Sequence, residues 1–183
     1  LVQQLKALVV KLIEGNTYTI FKKEFNSYFY SLIAYIVIVV FVLICGYFFA
    51  APLFVMNQST IRHVVSMFPL LLLFFIPAIT MRLFSEEIKV GTIEILATQP
   101  VLDYEILLGK YLAAVGFFVI TAACTLIFPV TLLFIGRPDI GQMFAQYIGV
   151  IFLAALFAAI GTFSSTLTKN QVVAFIIGFL VCF

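Results

Sequence analysis

The composition of the sequence and the placement of its charges both predict an all-α polytopic membrane protein. Of its 183 residues, 64% are hydrophobic and 10% are charged, whereas a soluble domain is about 45–50% apolar and about 25% charged. A globule of this size has too little interior to bury so much apolar surface, so the excess is expected to face lipid. This composition excludes a soluble enzyme, a disordered tail and a collagen-like fibre.

Long runs without Asp, Glu, Lys or Arg mark the expected spans. They suit a transmembrane helix, which needs about 20 apolar residues, and they lack the alternation of membrane-barrel strands. The sequence predicts four complete spans and an incomplete fifth, at about 31–52, 64–82, 110–135, 142–163 and 171–183. The fifth run has 13 residues, too few to cross a core of about 30 Å. We therefore expect a fragment lacking its C-terminal end, with a re-entrant half-helix as the alternative.

Residues 1–30 form a separate amphipathic segment in this scheme. Leucines recur at helical spacing in residues 1–12, and an aromatic stripe follows. The stripe comprises Tyr18, Phe21, Phe25, Tyr28 and Phe29, with Lys22, Lys23 and Glu24 on the other side. An aromatic face opposite a basic face is typical of a helix lying in the headgroup layer. The alternative is that both stretches simply lead into the first span.

The distribution of basic residues predicts the orientation. With the N-terminus in the cytoplasm, the inside segments hold eight Lys and Arg residues and the outside segments hold Arg62 and Arg137. This bias agrees with the positive-inside rule. The chain is therefore expected to be a multi-pass protein of a bacterial inner membrane with a cytoplasmic N-terminus.

Residues 82–110 form the most highly charged segment between spans. They hold eight of the 18 charged residues. Ile88, Thr92, Ile95 and Leu96 share one helical face, so a short amphipathic helix is expected from Ser85, as N-cap, to about Thr98. Pro100 ends this helix and Asp103 caps the third span. Because long connections are usually functional, we interpret the segment as a docking element for a cytoplasmic partner; a solvated linker is the alternative.

Several kinds of chemistry have no sequence support. There is no P-loop and no metal-ligand spacing, and His63 is the only histidine. No charged residue lies at mid-span, which disfavours an ion-coupled carrier. A net charge of +2 is too small for nucleic-acid binding. We expect no enzyme activity, no catalytic residue, no metal and no cofactor in this chain.

The fourth predicted span carries small residues at a spacing of four. Ala145 with Gly149, and Ala154 with Ala158, would let this helix approach another closely. Prolines in the second and third spans permit kinks where neighbouring groups satisfy the freed carbonyls, among them Pro129. These features predict helix packing.

The order of segments, from about residue 18 to the end, resembles the permease subunits of ABC-2 type exporters. The stretch from Glu86 to Pro100 is similar to that family's segment after the second span: an acidic pair, Gly-Thr, Glu, Leu and then Pro. Phe21-Lys22-Lys23-Glu24-Phe25 resembles its elbow helix. Together with Leu108-Gly109-Lys110, these features are similar to the branch containing the gliding-motility-associated permease. Residues 1–17 depart from the family pattern.

The resemblance implies six spans, two permease copies or homologous permeases in the lipid bilayer, and two separate ATPase subunits that bind ATP. It also implies that the segment 82–110 holds the coupling helix, seated in a cleft of the ATPase. The residues that carry this role are Glu86, Glu87, Gly91, Thr92, Glu94, Leu96 and Pro100. The expected function is therefore that of an exporter permease. The alternative is a membrane scaffold or assembly subunit that anchors a cytoplasmic partner without transport.

Overall fold

The computed structural model describes residues 16–55, 62–92, 102–135 and 139–183. In these residues all regular structure is helical, as the sequence predicts. The helices are α1 (Asn16–Tyr30), α2 (Leu32–Val55), α3 (Arg62–Thr80), α4 (Arg82–Val90), α5 (Asp103–Cys124), α6 (Ile127–Ile135), α7 (Ile140–Thr166) and α8 (Gln171–Cys182). The predicted leucine stripe of residues 1–12 lies outside the described residues.

Four helical stretches are long and apolar enough to cross a membrane. They are Leu32–Ala51, Val65–Val90, Asp103–Phe134 and Ile140–Thr166. Large apolar side chains remain exposed along them, including Leu43, Phe134 and Phe152, as expected of helices whose outer faces contact lipid. The prediction of four complete spans is confirmed, and α8 adds a shorter apolar helix of 12 residues.

The main hydrophobic core lies where α2, α3, α5 and α7 meet. Phe41 of α2, Phe68 of α3, Phe117 of α5 and Ala158 of α7 are all at most 2% exposed. The rings of Phe41 and Phe68 lie 5.7 Å apart between centroids, within the range of favourable aromatic pairs. Side chains from four helices therefore hold the bundle together.

The third span differs from its predicted bounds, because its helix begins at Asp103 rather than near residue 110. The predicted cap was also wrong by one residue. Leu102 is the N-cap, and its backbone N–H donates to Glu105 Oε2 at 3.2 Å. A carboxylate three residues into a helix can satisfy this unpaired donor, so the helix extends outward by two turns.

Pro129 breaks the third span, as predicted. The helix stops at Cys124 and resumes at Ile127, because Pro129 has no N–H to donate to the Thr125 carbonyl one turn earlier. That carbonyl accepts instead from the Tyr147 hydroxyl of α7 at 3.2 Å and from the Phe128 N–H at 3.1 Å. A neighbouring span thus satisfies the freed group.

The helix after the second span begins earlier than the sequence predicted and ends within the expected range. It runs from Arg82 to Val90, whereas Ser85 to about Thr98 was expected; residues 93–98 of that expectation lie outside the described residues. Ser85 is not an N-cap: it is buried within the helix, and its hydroxyl donates to the Met81 carbonyl. Met81 alone separates α3 from α4. The helical stretch of the second span therefore continues into the charged segment, as far as Val90, instead of ending before it.

Candidate functional site: a buried lysine joins three helices

The helix α1 packs closely against the start of α5. A Cβ added at Gly109 would lie 2.8 Å from Ile20 Cγ2 and 3.1 Å from the Thr17 carbonyl oxygen. Real side chains do not tolerate such distances, so glycine is required for this approach. The approach brings the next residue of α5, Lys110, against the face of α1.

Lys110 is buried at the junction of α1, α4 and α5. Its side chain is 2% exposed. Nζ donates to Glu24 Oε1 of α1 at 3.0 Å, to Glu87 Oε1 of α4 at 2.8 Å and to the Leu83 carbonyl oxygen of α4 at 3.0 Å. An ammonium has three N–H donors, so each has an acceptor. We call these four groups the Lys110 cluster.

Burying the charged groups of the Lys110 cluster costs free energy, so the cluster is stable only when all its members are paired. A buried ammonium loses its hydration and is tolerated only when it is paired and hydrogen-bonded. The two carboxylates are also mostly buried, with side-chain exposures of 17% for Glu24 and 19% for Glu87. The Phe84 ring adds a cation–π contact at 5.4 Å from Nζ to its centroid. Separating α4 from α5 would leave charges unpaired in a poorly hydrated site.

A cavity of about 480 Å³ opens beside the Lys110 cluster, and we call it the α1–α4 cavity. Its polar lining comes mainly from α1 and α4, with Lys110 of α5, and its apolar lining comes mainly from α2, α3 and α5. The lining includes Lys23, Glu24, Ser27, Tyr28, Arg82, Glu86, Glu87 and Lys110 on the polar side, and Ile33, Val37, Ile79 and Phe117 on the apolar side.

Tyr28 supplies an unusual polar atom to this cavity. Its hydroxyl is buried and has no hydrogen-bond partner in the described part of the chain, and the same holds for Glu87 Oε2. Burial, reinforced by the nearby Glu24 carboxylate, raises the pKa of Tyr28 above its usual value. The phenol therefore stays neutral and keeps a proton to donate.

A comparison with known families shows which family the chain belongs to. The family model described as ABC-2 family transporter protein matches residues 40–183. The chain belongs to the ABC-2 transporter family. Members are membrane permease components of ABC transporters, and their ATPase is a separate subunit. Neither a curated protein nor a solved structure gives a significant match.

The structure places the predicted coupling residues of this ABC-2 chain in two different settings. Glu86 is exposed and pairs with Arg82 at 3.4 Å, whereas Glu87, its neighbour, faces Lys110. The two neighbours thus have different partners, although both line the α1–α4 cavity. Glu94, Leu96 and Pro100 lie outside the described residues.

Gly91 is the C-cap of α4, and Thr92 follows it. Gly91 has a left-handed φ of 81° and its N–H donates to the Glu87 carbonyl at 2.9 Å. Glycine adopts this conformation without the steric penalty that other residues pay, and it is typical of a helix C-terminus. The Thr92 hydroxyl donates to the same carbonyl at 3.4 Å. The Gly-Thr pair thus has a local structural role, because both residues bond to the last turn of α4.

The elbow residues of α1 divide between packing and solvent. The rings of Phe21 and Phe25 stack at 5.4 Å between centroids, whereas Lys22 and Lys23 are exposed. Ser31 separates α1 from α2, so α1 is a helix of its own. The sequence analysis placed Glu24 on the solvated face with the two lysines, and this was wrong: Glu24 turns toward Lys110 and pairs with it.

The small residues of the fourth span are also split. Ala154 and Ala158 of α7 are buried, at 5% and 0% exposure. Ala145 and Gly149 are exposed, and a Cβ at Gly149 would meet no atom within 4 Å among the described residues. Within this chain only the second pair lies in the bundle; a packing role for the first pair stays a prediction.

The sequence analysis missed Lys110 as a site residue, together with its partner Glu24 and the neighbouring Tyr28. A signal was present, because Lys110 stands at the head of a run from Tyr111 to Gly136 without any charge. A lysine in such a place has to reach water or find partners. Its partners are 86 and 23 residues away in the chain, so spacing alone could not identify them.

Proposed function

We propose that this chain is the permease subunit of an ATP-driven ABC-2 type exporter in a bacterial inner membrane. In this proposal a separate ATPase subunit binds and hydrolyses ATP, and the permease moves substrate across the bilayer. The observation that carries the proposal is the Lys110 cluster. It ties α4, the helix after the second span, to both α1 and the start of the third span.

The proposed coupling follows from how α4 is attached at each side. One residue, Met81, joins it to α3, and the Met81 N–H still donates to the Pro77 carbonyl at 2.9 Å. On the other side of α4, Lys110 of α5 donates hydrogen bonds to the Glu87 carboxylate and to the Leu83 carbonyl. A push on α4 would therefore move the second and third spans together, since a broken cluster leaves buried charges unpaired.

The surface proposed to receive that push is the outer side of α4 with the segment that follows. Glu86, Lys89 and Val90 are exposed there, and the family resemblance adds Glu94, Leu96 and Pro100. Glu87 has a different proposed role. It holds the cluster, so it positions the docking surface instead of contacting the ATPase.

Three further features belong to the proposal. A second permease copy or a homologous permease completes the path, the N-terminus is cytoplasmic, and the chain belongs to the gliding-motility-associated branch. The eight basic residues on the proposed inner side support the orientation. The similarity of the elbow and of segment 82–110 supports the branch.

The test combines the permease with a candidate ABC ATPase subunit from the same organism. The pair is reconstituted in nanodiscs, and two pairs of spectroscopic labels, one joining α4 to α7 and one joining α5 to α7, report these two distances with and without ATP. We expect ATP to move both labels relative to α7, and the Glu86→Ala/Glu94→Ala variant to weaken ATPase binding at least tenfold. The matched control is Lys22→Ala, an exposed α1 residue, which should bind the ATPase normally.

The scaffold alternative makes the opposite prediction for the same sample. An anchoring subunit would bind the ATPase but show no ATP-dependent change in the distances between its spans. That outcome, or unaltered ATPase affinity in the Glu86→Ala/Glu94→Ala variant, would refute the coupling role. The experiment keeps Glu87 intact, because its replacement would disturb the Lys110 cluster and confuse docking with folding.

A further inference from the structure

The α1–α4 cavity is divided by chemistry at the level where the spans begin. Most of its polar lining comes from α1 and α4, and Lys110 at the start of α5 adds to it. Its apolar lining comes from the adjoining ends of α2, α3 and α5, with Ile33, Ile79 and Phe117 among the residues. A site with one polar side and one apolar side matches an amphipathic ligand whose headgroup and chain meet at that level.

Two residues of the cavity lining each carry a buried polar atom that lacks a partner in the described residues. These atoms are the Tyr28 hydroxyl and Glu87 Oε2. Buried polar groups are nearly always hydrogen-bonded, and an unsatisfied one costs free energy. The first can donate and the second can only accept while ionised. A ligand that satisfies both must offer an acceptor and a donor in the same headgroup.

The charged residues that line the α1–α4 cavity indicate which class of ligand fits it. Lys23, Arg82 and Lys110 balance Glu24, Glu86 and Glu87, so the site has no net charge. All three N–H donors of Lys110 already form hydrogen bonds within its cluster. The remaining cations, Lys23 and Arg82, suit a phosphate, while Glu87 Oε2 suits an ammonium. A headgroup with both charges fits this pattern better than an anionic one.

We propose that the α1–α4 cavity binds a phospholipid with a zwitterionic, primary-amine headgroup. The phosphate accepts from Lys23, Arg82 and the Tyr28 hydroxyl, the ammonium donates to Glu87 Oε2, and one acyl chain starts along Ile33 and Ile79. The volume of about 480 Å³ lies within the about 300–1,000 Å³ of ordinary ligand pockets. It accommodates a headgroup and the beginning of a chain, with the rest of the lipid in the bilayer. This site does not depend on ATP coupling.

The test is lipid retention by the full-length permease in detergent. The protein is incubated with equal amounts of phosphatidylethanolamine and phosphatidylglycerol, and native mass spectrometry counts the bound lipid. We expect one retained phosphatidylethanolamine. The Tyr28→Phe variant should bind it about tenfold more weakly, since it loses a hydrogen bond to a charged group. Its folding should be unchanged, because the hydroxyl has no partner in the described protein.

Matched controls lie on the same helix. Tyr30 is 89% exposed, so Tyr30→Phe should retain the lipid as the parent does. Lys23→Gln should weaken retention, whereas Lys22→Gln should not, because Lys22 does not line the cavity. Water-soluble glycerophosphoethanolamine should fail to displace the lipid, since it lacks the acyl chain.

Four results would overturn the proposal: no retained lipid, phosphatidylglycerol bound as tightly as phosphatidylethanolamine, equal retention by Tyr28→Phe, or displacement by the soluble headgroup. The last would mean that the cavity recognises a free phosphoamine instead of a membrane lipid. Each of these readouts is independent of the ATPase, so failure here would leave the proposed exporter function standing.

Discussion

Lys110 shows how one residue can have a role that its neighbours in sequence do not reveal. It begins a long charge-free run, where a lysine at the end of a span ordinarily extends to water. Here close packing at Gly109 brings α1 over it, and the lysine is covered. The burial is tolerated because two carboxylates and a backbone carbonyl accept all its donors.

We predict that Lys110→Met destabilises the protein by about 3–5 kcal/mol, the usual effect of removing one partner from a buried ion pair. Glu24 and Glu87 would remain as two mostly buried carboxylates without their cation. Denaturant unfolding in micelles measures the change. The control is Arg82→Met, which removes the exposed pair with Glu86 and should cost less than about 1 kcal/mol.

A neutral version of the Lys110 cluster separates charge from shape. In Lys110→Met/Glu24→Gln/Glu87→Gln no buried charge is left, and we expect most of the lost stability to return, because replacing a whole buried ion pair is often nearly neutral. If the triple variant were as unstable as Lys110→Met, packing of the lysine stem and not its charge would be the cause.

Glycine positions decide the contact between elements. The α1 helix lies against α5 because Gly109 presents no side chain to Ile20 and Thr17. In α7, Gly149 has open space beside it in the part of the chain that the structure describes. Both glycines lie within helices, but Gly109 is in close contact with another helix and Gly149 is not.

For Gly109→Ala we predict a loss of stability of about 1–3 kcal/mol, typical of overpacking. The added methyl would push α1 away from α5 and loosen the Glu24–Lys110 pair. Gly149→Ala should be neutral or stabilising by up to about 1 kcal/mol, because alanine is the better helix former. Thermal unfolding of the two purified variants compares them directly. Equal effects would show that α1 does not need this approach.

Gly91 sets where α4 stops. We predict that Gly91→Ala costs about 1–2 kcal/mol, the penalty for a left-handed non-glycine residue, and that it lowers permease-stimulated ATPase activity by redirecting residues 92–100. Gly91→Asn should retain more of both, since asparagine tolerates this conformation. Stimulated activity and unfolding are measured on the same samples. Asparagine behaving like alanine would argue against a backbone cause.

At the scale of the whole molecule, the charges predict the sidedness of the bundle. In a cysteine-free background, we expect a cysteine at Arg137 to react with a membrane-impermeant maleimide from outside intact cells. A cysteine at Lys89, which is exposed on α4, should react only after the membrane is opened. The reverse pattern would place α4 outside and remove any contact with a cytoplasmic ATPase.

The number, length and approximate position of the spans were predictable because they depend on local hydrophobicity. A transmembrane helix satisfies its own backbone hydrogen bonds, so a charge-free run of sufficient length is enough to identify one. The errors fell at the ends, such as the start of α5 at Asp103 and of α4 at Arg82. Caps and continuation through Met81 extended these helices beyond the apolar runs.

The pairing of side chains depends on tertiary structure. The sequence determined that this is a helical membrane protein with one charged segment between its second and third spans, because lipid imposes that pattern on any spanning chain. It did not determine that Glu87 pairs with the buried Lys110 while Glu86 pairs with Arg82, or that Glu24 leaves the basic face of α1. Those outcomes depend on the approach of α1 to Gly109, which buries an ammonium and so requires both carboxylates to meet it.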